Sequence, residues 1–206
     1  MAMGDLGVVL ADDVTALNYN PALLSKYKAP QIILSHNELI TDTRSELFGA
    51  SFEFIGLPFA FGVNSTKVSD IEIRTQPGEA SSTFNVNYFY GSISTGFNLY
   101  EDLAFGVTYK YISETMLSDH SSGYGFDLGL YYPNLIAGVN VGASIKNLGS
   151  MTELRKVSSE LPVDYKFGAD YGFDVESIGS QVVIAAGVQK DKSSDNMHIN
   201  FGGELF

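Results

Sequence analysis

Six ionisable side chains, Lys110, Asp127, Lys146, Asp164, Lys166 and Asp170, share a setting in the sequence: each falls on the non-apolar phase of a run in which apolar residues alternate with small ones. An amine held beside a carboxylate in an enclosed space can pass a proton, so general acid–base chemistry is one reading of this set. The other is that opposite charges pair to offset the cost of burial. Pairing is the expectation, because no enzyme signature accompanies the charges. The chain has no Gly-rich phosphate loop before a helix, no zinc-ligand spacing and no Gly-x-Ser-x-Gly elbow. His36 has no second His or Cys near it in sequence, which favours packing or hydrogen bonding over metal ligation or a base role. There is no cysteine, hence no disulfide and no thiolate chemistry. Asp and Glu are scattered, without the dense oxygen-ligand spacing of a calcium loop. No catalytic residue, metal or cofactor is expected.

The elements that carry these residues are strands. From Leu103 the odd positions Phe105, Val107, Tyr109 and Tyr111 are apolar, while Ala104, Gly106, Thr108 and Lys110 occupy the even ones, a period of two. Tyr124, Phe126, Leu128, Leu130 and Tyr132 repeat the pattern opposite Gly123, Gly125, Asp127 and Gly129, until Pro133-Asn134 breaks it. Leu135, Ala137, Val139, Val141, Ala143 and Ile145 form a third run opposite Gly138, Asn140, Gly142, Ser144 and Lys146. A longer one follows from Leu161 to Phe173, with Asp164, Lys166 and Asp170 on its second face. Upstream, Pro30 to Ile40 and Thr43 to Ile55 read as a hairpin, Leu57 to Val63 begins a third strand, and the polar residues Asn64 to Ser82 read as a loop or hairpin tip. Phe84, Val86, Tyr88 and Tyr90 are apolar on even positions and Ile93, Phe97 and Leu99 on odd ones. A β-bulge near Gly91 is the economical explanation. Two further strands follow, through Val182 to Val188 and Met197 to Leu205.

Composition limits what such a sheet can be. Charged residues are 17% of the 206-residue chain, below the roughly 25% of ordinary soluble domains, yet no stretch reaches the ~18 apolar residues of a membrane helix. A soluble sheet fills its polar face with Lys, Glu and Thr, whereas here that face is mostly Gly with an occasional ion. The pattern predicts an antiparallel transmembrane β-barrel, about ten strands of which can be placed in this chain, with apolar side chains outward and small or charged ones inward; a soluble barrel or sandwich is the alternative. A net charge of -12 argues against phosphate-directed nucleic-acid binding.

The N-terminal segment is the least strand-like part. Asp12 or Asp13 can cap a short helix through Val14, Ala16 and Leu17, which Asn20-Pro21 ends. Ala2-Met3-Gly4, Leu10-Ala11-Asp12-Asp13, Ala16-Leu17 and Tyr19-Asn20-Pro21-Ala22 resemble the opening of the PorV/PorQ family, within the FadL-like group of outer-membrane barrels. Ser35-His36-Asn37-Glu38, Lys110-Tyr111-Ile112, Asp127-Leu128-Gly129, Lys146-Asn147-Leu148-Gly149 and Leu161-Pro162 resemble that family in order and spacing. Asp5, Asn18 and Leu23 depart from its pattern.

The resemblance implies a 14-stranded barrel with residues 1–29 folded inside as a helical plug or hatch carrying Asp12, Asp13, Asn20, Pro21 and Ala22, and residues 30–206 supplying the strands. It implies a location in the outer membrane of a Gram-negative bacterium, contact with outer-membrane lipid, and a non-enzymatic role in type IX secretion, with cargo domains and a translocon as partners. FadL-like transport of hydrophobic small molecules is the second function it allows. Since only about ten strands are present and Phe206 is out of phase with Leu205, Phe201 and Ile199, the chain is expected to be incomplete at its C-terminus.

Overall fold

The computed structural model describes residues 3–27, 29–39, 42–74, 76–117, 119–153, 161–176, 179–194 and 196–205. Ten strands form one antiparallel sheet in sequence order: β1 (Gln31–Leu39), β2 (Thr43–Phe54), β3 (Leu57–Ile73), β4 (Ser82–Tyr100), β5 (Leu103–Met116), β6 (Asp119–Ile136), β7 (Val139–Met151), β8 (Asp164–Val175), β9 (Ser180–Asp191) and β10 (Met197–Leu205). Among the described residues each pairs only with its neighbours in sequence, as in a meander of hairpins. In β5, Ala104, Gly106, Thr108, Lys110 and Ile112 are buried while Tyr109 and Tyr111 are exposed, so the even residues define the inner face.

That inner face is covered by the N-terminal segment, here called the strap. It contains two four-residue helical turns, α1 (Gly7–Leu10) and α2 (Ala16–Tyr19), and a 3-10 helix, Pro21–Lys26. The buried apolar cluster consists mainly of strap residues, among them Val8, Leu17, Leu23 and Leu24, with Ala60, Ala104 and Tyr131 from the sheet. The strap is thus the core that gives the sheet something to pack on.

The expected closed barrel is not formed. Among the described residues β1 pairs only with β2 and β10 only with β9, so the ten-stranded sheet has two free edges. A helical plug is absent too: the strap is a chain of short turns, and no helix among the described residues is long and apolar enough to cross a membrane. The outer-membrane location, the lipid contact and both barrel-based functions, cargo secretion and FadL-like transport, rested on a closed cylinder, because an open edge leaves backbone groups unpaired in hydrocarbon. With the sheet open, these expectations are withdrawn. The glycines that suggested a barrel lumen have another cause, described below.

Two local expectations are also corrected. No bulge lies at Gly91: β4 pairs without a register shift from Val86 to Thr95 against β3 and from Val86 to Asn98 against β5. The even-numbered Phe84, Val86, Tyr88 and Tyr90 are instead inner-face residues. Register shifts occur at Val68/Ile71, Asn98/Tyr100, Phe126/Leu128 and Tyr132/Ile136. The segment read as a loop from Asn64 is largely strand, since β3 continues to Ile73 and β4 begins at Ser82. Residues 154–160 of the polar loop and Phe206 lie outside the described residues.

Candidate functional site

The strap and the inner face meet along a lane of glycines. Gly49 pairs with Gly62; Gly96, Gly106 and Gly129 are neighbours across β4, β5 and β6; Gly142, Gly168 and Gly187 continue across β7, β8 and β9. A methyl group at Gly106 would lie 2.2 Å from the Pro21 carbonyl carbon, and one at Gly142 would lie 2.3 Å from the Val8 carbonyl oxygen. At Gly129 it would lie 2.0 Å from Asn20 Oδ1. No side chain fits at these positions, so glycine is required by the close approach of a second backbone.

Asn20 is the centre of this contact and is completely buried. Its Nδ2 donates to the Val8 carbonyl at 2.7 Å and to the Leu130 carbonyl at 2.9 Å, and its Oδ1 accepts from the Ala22 amide at 3.1 Å. One side chain therefore joins two parts of the strap to β6 and caps the helix that begins at Pro21, whose missing N–H is no loss at that position. Asp13 holds the preceding turn, its Oδ1 accepting from the Thr15 amide at 2.8 Å and from the Thr15 hydroxyl at 2.5 Å. Tyr90, one of the inward aromatics of β4, donates to Asn18 Oδ1 at 3.0 Å. Burial pushes its phenol up to about 12, with Tyr88 and Asp127 adding to the shift. Asp12 is exposed on the rim of a cavity of about 520 Å³ between the strap and β7 to β10, where Asp170, Tyr19, Tyr27 and Asn140 also lie. Ala22 is buried in the core cluster.

The six inward charges gather on the same face as two groups and an outlier. Lys110 Nζ lies 2.6 Å from Asp127 Oδ2 and donates to Asn147 Oδ1 at 3.1 Å, and the Asn147 amide donates to Asp127 Oδ1 at 2.8 Å. Asp127 is 1% exposed, so these bonds are what allow its charge to be buried. The second group is Lys166, 2.5 Å from Asp5 Oδ2 of the strap and 4.0 Å from Asp164, whose carboxylate also accepts from Gln189 Nε2 at 3.2 Å. Lys146 lies between the groups, opposite Asp164 in the β7–β8 register. Burial, reinforced by Lys110, pushes its amine down to about 8, against the opposing pull of Asp127. Asp170 stands apart on β8, accepting from Asn140 Nδ2 at 2.8 Å; burial raises its carboxyl above the usual range.

The register shift in the β6–β7 ladder explains how Asn147 enters this network. Phe126 pairs with Leu148 but Leu128 with Ile145, so Asp127 faces two residues, Lys146 and Asn147, and Asn147 adopts φ 61°. Sequence reading placed Lys146 inward and left Asn147 without a role. The signal was present: the apolar phase is odd up to Ile145 and even at Leu148. Asp5, Asn140 and Gln189 had no such signal, because their partners are remote in sequence. His36 belongs to none of these groups; it sits exposed on β1, with Glu46 3.7 Å and Glu38 3.9 Å away. Among the described residues no group of three or more His, Cys, Asp or Glu is placed to hold a metal ion.

The opposite face has a different chemistry. Phe52, Phe61, Ile93, Tyr109, Phe126 and Phe167 are exposed on the outer face, and ring contacts such as Tyr109–Phe126, 5.4 Å between centroids, join them across strands. Lys26 Nζ lies 3.8 Å from the centre of the Tyr131 ring, a cation–π contact at the end of the strap.

Comparison with protein-family models finds no match for this chain, and none is found among the curated proteins. The resemblance to the PorV/PorQ family is therefore not upheld: its short motifs have no family match behind them, and the closed barrel it implied is not the observed sheet.

Proposed function

We propose that this chain is a non-catalytic assembly module that works by covering its outer face with another polypeptide. The observation that carries this reading is the outer face itself. At about 4.8 Å per strand the ten-stranded sheet is roughly 40 Å across, and large apolar side chains are exposed from Ile32 in β1 to Phe201 in β10. A typical monomer exposes an apolar patch of only about 300–600 Å². The inner face offers less to a reaction. Lys110 and Lys166 are each committed to a carboxylate, and the strap covers much of the inner face beside them.

Light scattering of the purified chain tests this reading. The native chain should run as an associated species. Replacing Ile93, Tyr109 and Phe126, neighbours on β4, β5 and β6, with Glu should yield a monomer with an unchanged sheet signal in circular dichroism. A native chain that is already monomeric, with the triple variant indistinguishable from it, would overturn the proposal.

A further inference from the structure

Two carboxylates are buried among the described residues, Asp127 at 1% exposure and Asp170 at 7%. A buried charge is costly unless an opposite charge and hydrogen bonds meet it. Asp127 has both, in Lys110 and the Asn147 amide. Asp170 has a hydrogen bond, accepted by Oδ2 from Asn140 Nδ2 at 2.8 Å, but among the described residues no amine or guanidinium lies within 4.0 Å of it. Lys26 acts on it only from farther away, and its own amine sits 3.8 Å from the centre of the Tyr131 ring. Asp170 is not an edge residue. β8 lies between β7 and β9, and Asn140 is the residue opposite it on β7.

This carboxylate lines the cavity of about 520 Å³ beneath the strap, a volume within the range of small-molecule sites. The rest of the lining combines negative charge, rings and apolar surface. Asp12 stands exposed at the rim, Tyr19 and Tyr27 come from the strap, and Leu6, Val9 and Leu10 add hydrocarbon. Both phenols register the field: burial raises them, Asp5 and Asp13 add to the shift at Tyr19, and Asp12 and Asp13 help push Tyr27 up to about 12. We infer that this cavity binds an amphipathic organic ammonium ion, its nitrogen on Asp170 and its hydrocarbon body against the strap. Asn140 occupies Oδ2, which leaves Oδ1 to accept from the ligand. The carboxylate is already desolvated and oriented, so a charge-assisted hydrogen bond forms there without further ordering, and tyrosine rings attract cations. Asp12 and the net charge of -12 draw a ligand of this sign towards the mouth. The inference is independent of the assembly reading, since the cavity lies on the strap side of the sheet and the exposed apolar residues on the other.

Isothermal calorimetry at constant ionic strength tests this, with phenethylamine as the probe and phenethyl alcohol as its neutral analogue. The amine should bind the native chain, and the alcohol should bind about tenfold or more weakly, the loss expected when a hydrogen bond between charged groups is removed. Asp170→Asn keeps the shape of the side chain and an acceptor for Asn140 while removing the charge. It should weaken the amine by a similar factor and leave the alcohol unchanged. Asp174→Asn, the same charge change at an exposed position of β8, should leave both unchanged. The inference is overturned if the amine does not bind, or if amine and alcohol bind the native chain equally well. It is also overturned if Asp170→Asn and Asp174→Asn weaken the amine equally, which would mark a general attraction to an acidic surface. The comparison of amine with alcohol uses the native chain alone, so it decides the matter even where a variant fails to fold.

Discussion

Gly106→Ala measures how far the close approach of the strap holds the molecule together. The added Cβ would lie 2.2 Å from the Pro21 carbonyl carbon, 2.3 Å from the Ala22 amide nitrogen and 2.5 Å from the Pro21 oxygen. All three are backbone atoms, so no rotamer change relieves the clash; the strap itself must lift. Overpacking of this kind costs about 1–3 kcal/mol. Lifting Pro21 and Ala22 also strains the adjacent Asn20 bonds, each net worth about 1 kcal/mol. A total of about 2–4 kcal/mol is expected. Gly91→Ala is the matched control: its Cβ would meet only the Phe89 ring, at 3.9 Å, so the change should be neutral or stabilising by up to about 1 kcal/mol through a less flexible unfolded chain. With a urea dependence of about 2 kcal/mol per molar, the two midpoints should differ by at least ~1 M in equilibrium unfolding followed by circular dichroism. Equal midpoints would refute the view that the glycine lane exists to seat the strap.

Asn20→Ala should cost about 2–3 kcal/mol, because it leaves the buried Val8 carbonyl and the part-buried Leu130 carbonyl without their donor; the same unfolding assay reads it. Asp5→Asn should weaken the tie between strap and β8 by about 1 kcal/mol, a small effect because the Asp5 side chain is 33% exposed, and amide exchange in α1 should quicken. Lys146 gives a pH dependence. Its amine is lowered in the fold from 10.5 to about 8, so above pH 8 the unfolded chain binds the extra proton and stability should rise with pH. The gain is on the order of 3 kcal/mol by pH 10.5, and Lys146→Met should remove it. Above pH 10 the trend reverses in part, because Tyr27 and Tyr90 are raised to about 12 and lose their contribution as the unfolded phenols ionise.

The strands were legible because period-two alternation is a local property: Thr43 to Ile55 was expected and Thr43–Phe54 is found. The inward phase of Lys110 and Asp127 was legible for the same reason. Global closure was not, since nothing in the alternation records whether β1 meets β10. The Gly-rich face was read as the wall of a lumen when it is the seat of the strap; both need small residues, and composition does not tell a void from a second backbone. Tyr88 and Tyr90 misled for a related reason. Aromatics on an inner face imply a bulge only if that face is otherwise empty, and Tyr90 has Asn18 to bond.

The strap also sets an order of events. Every strand pairs with its neighbour in sequence, so the sheet can grow hairpin by hairpin through short loops. The strap leaves the ribosome before the sheet, yet Asn20 bonds to Leu130 and Asp5 to Lys166, partners 110 and 161 residues later. Val8, which sits over Gly142 and Gly168, therefore stays without its seat until most of the sheet has been synthesised, whereas Leu17 can already meet Gly49 and Gly62. For that interval the apolar residues of α1 stay uncovered in the nascent chain, a surface for a holding chaperone to cover.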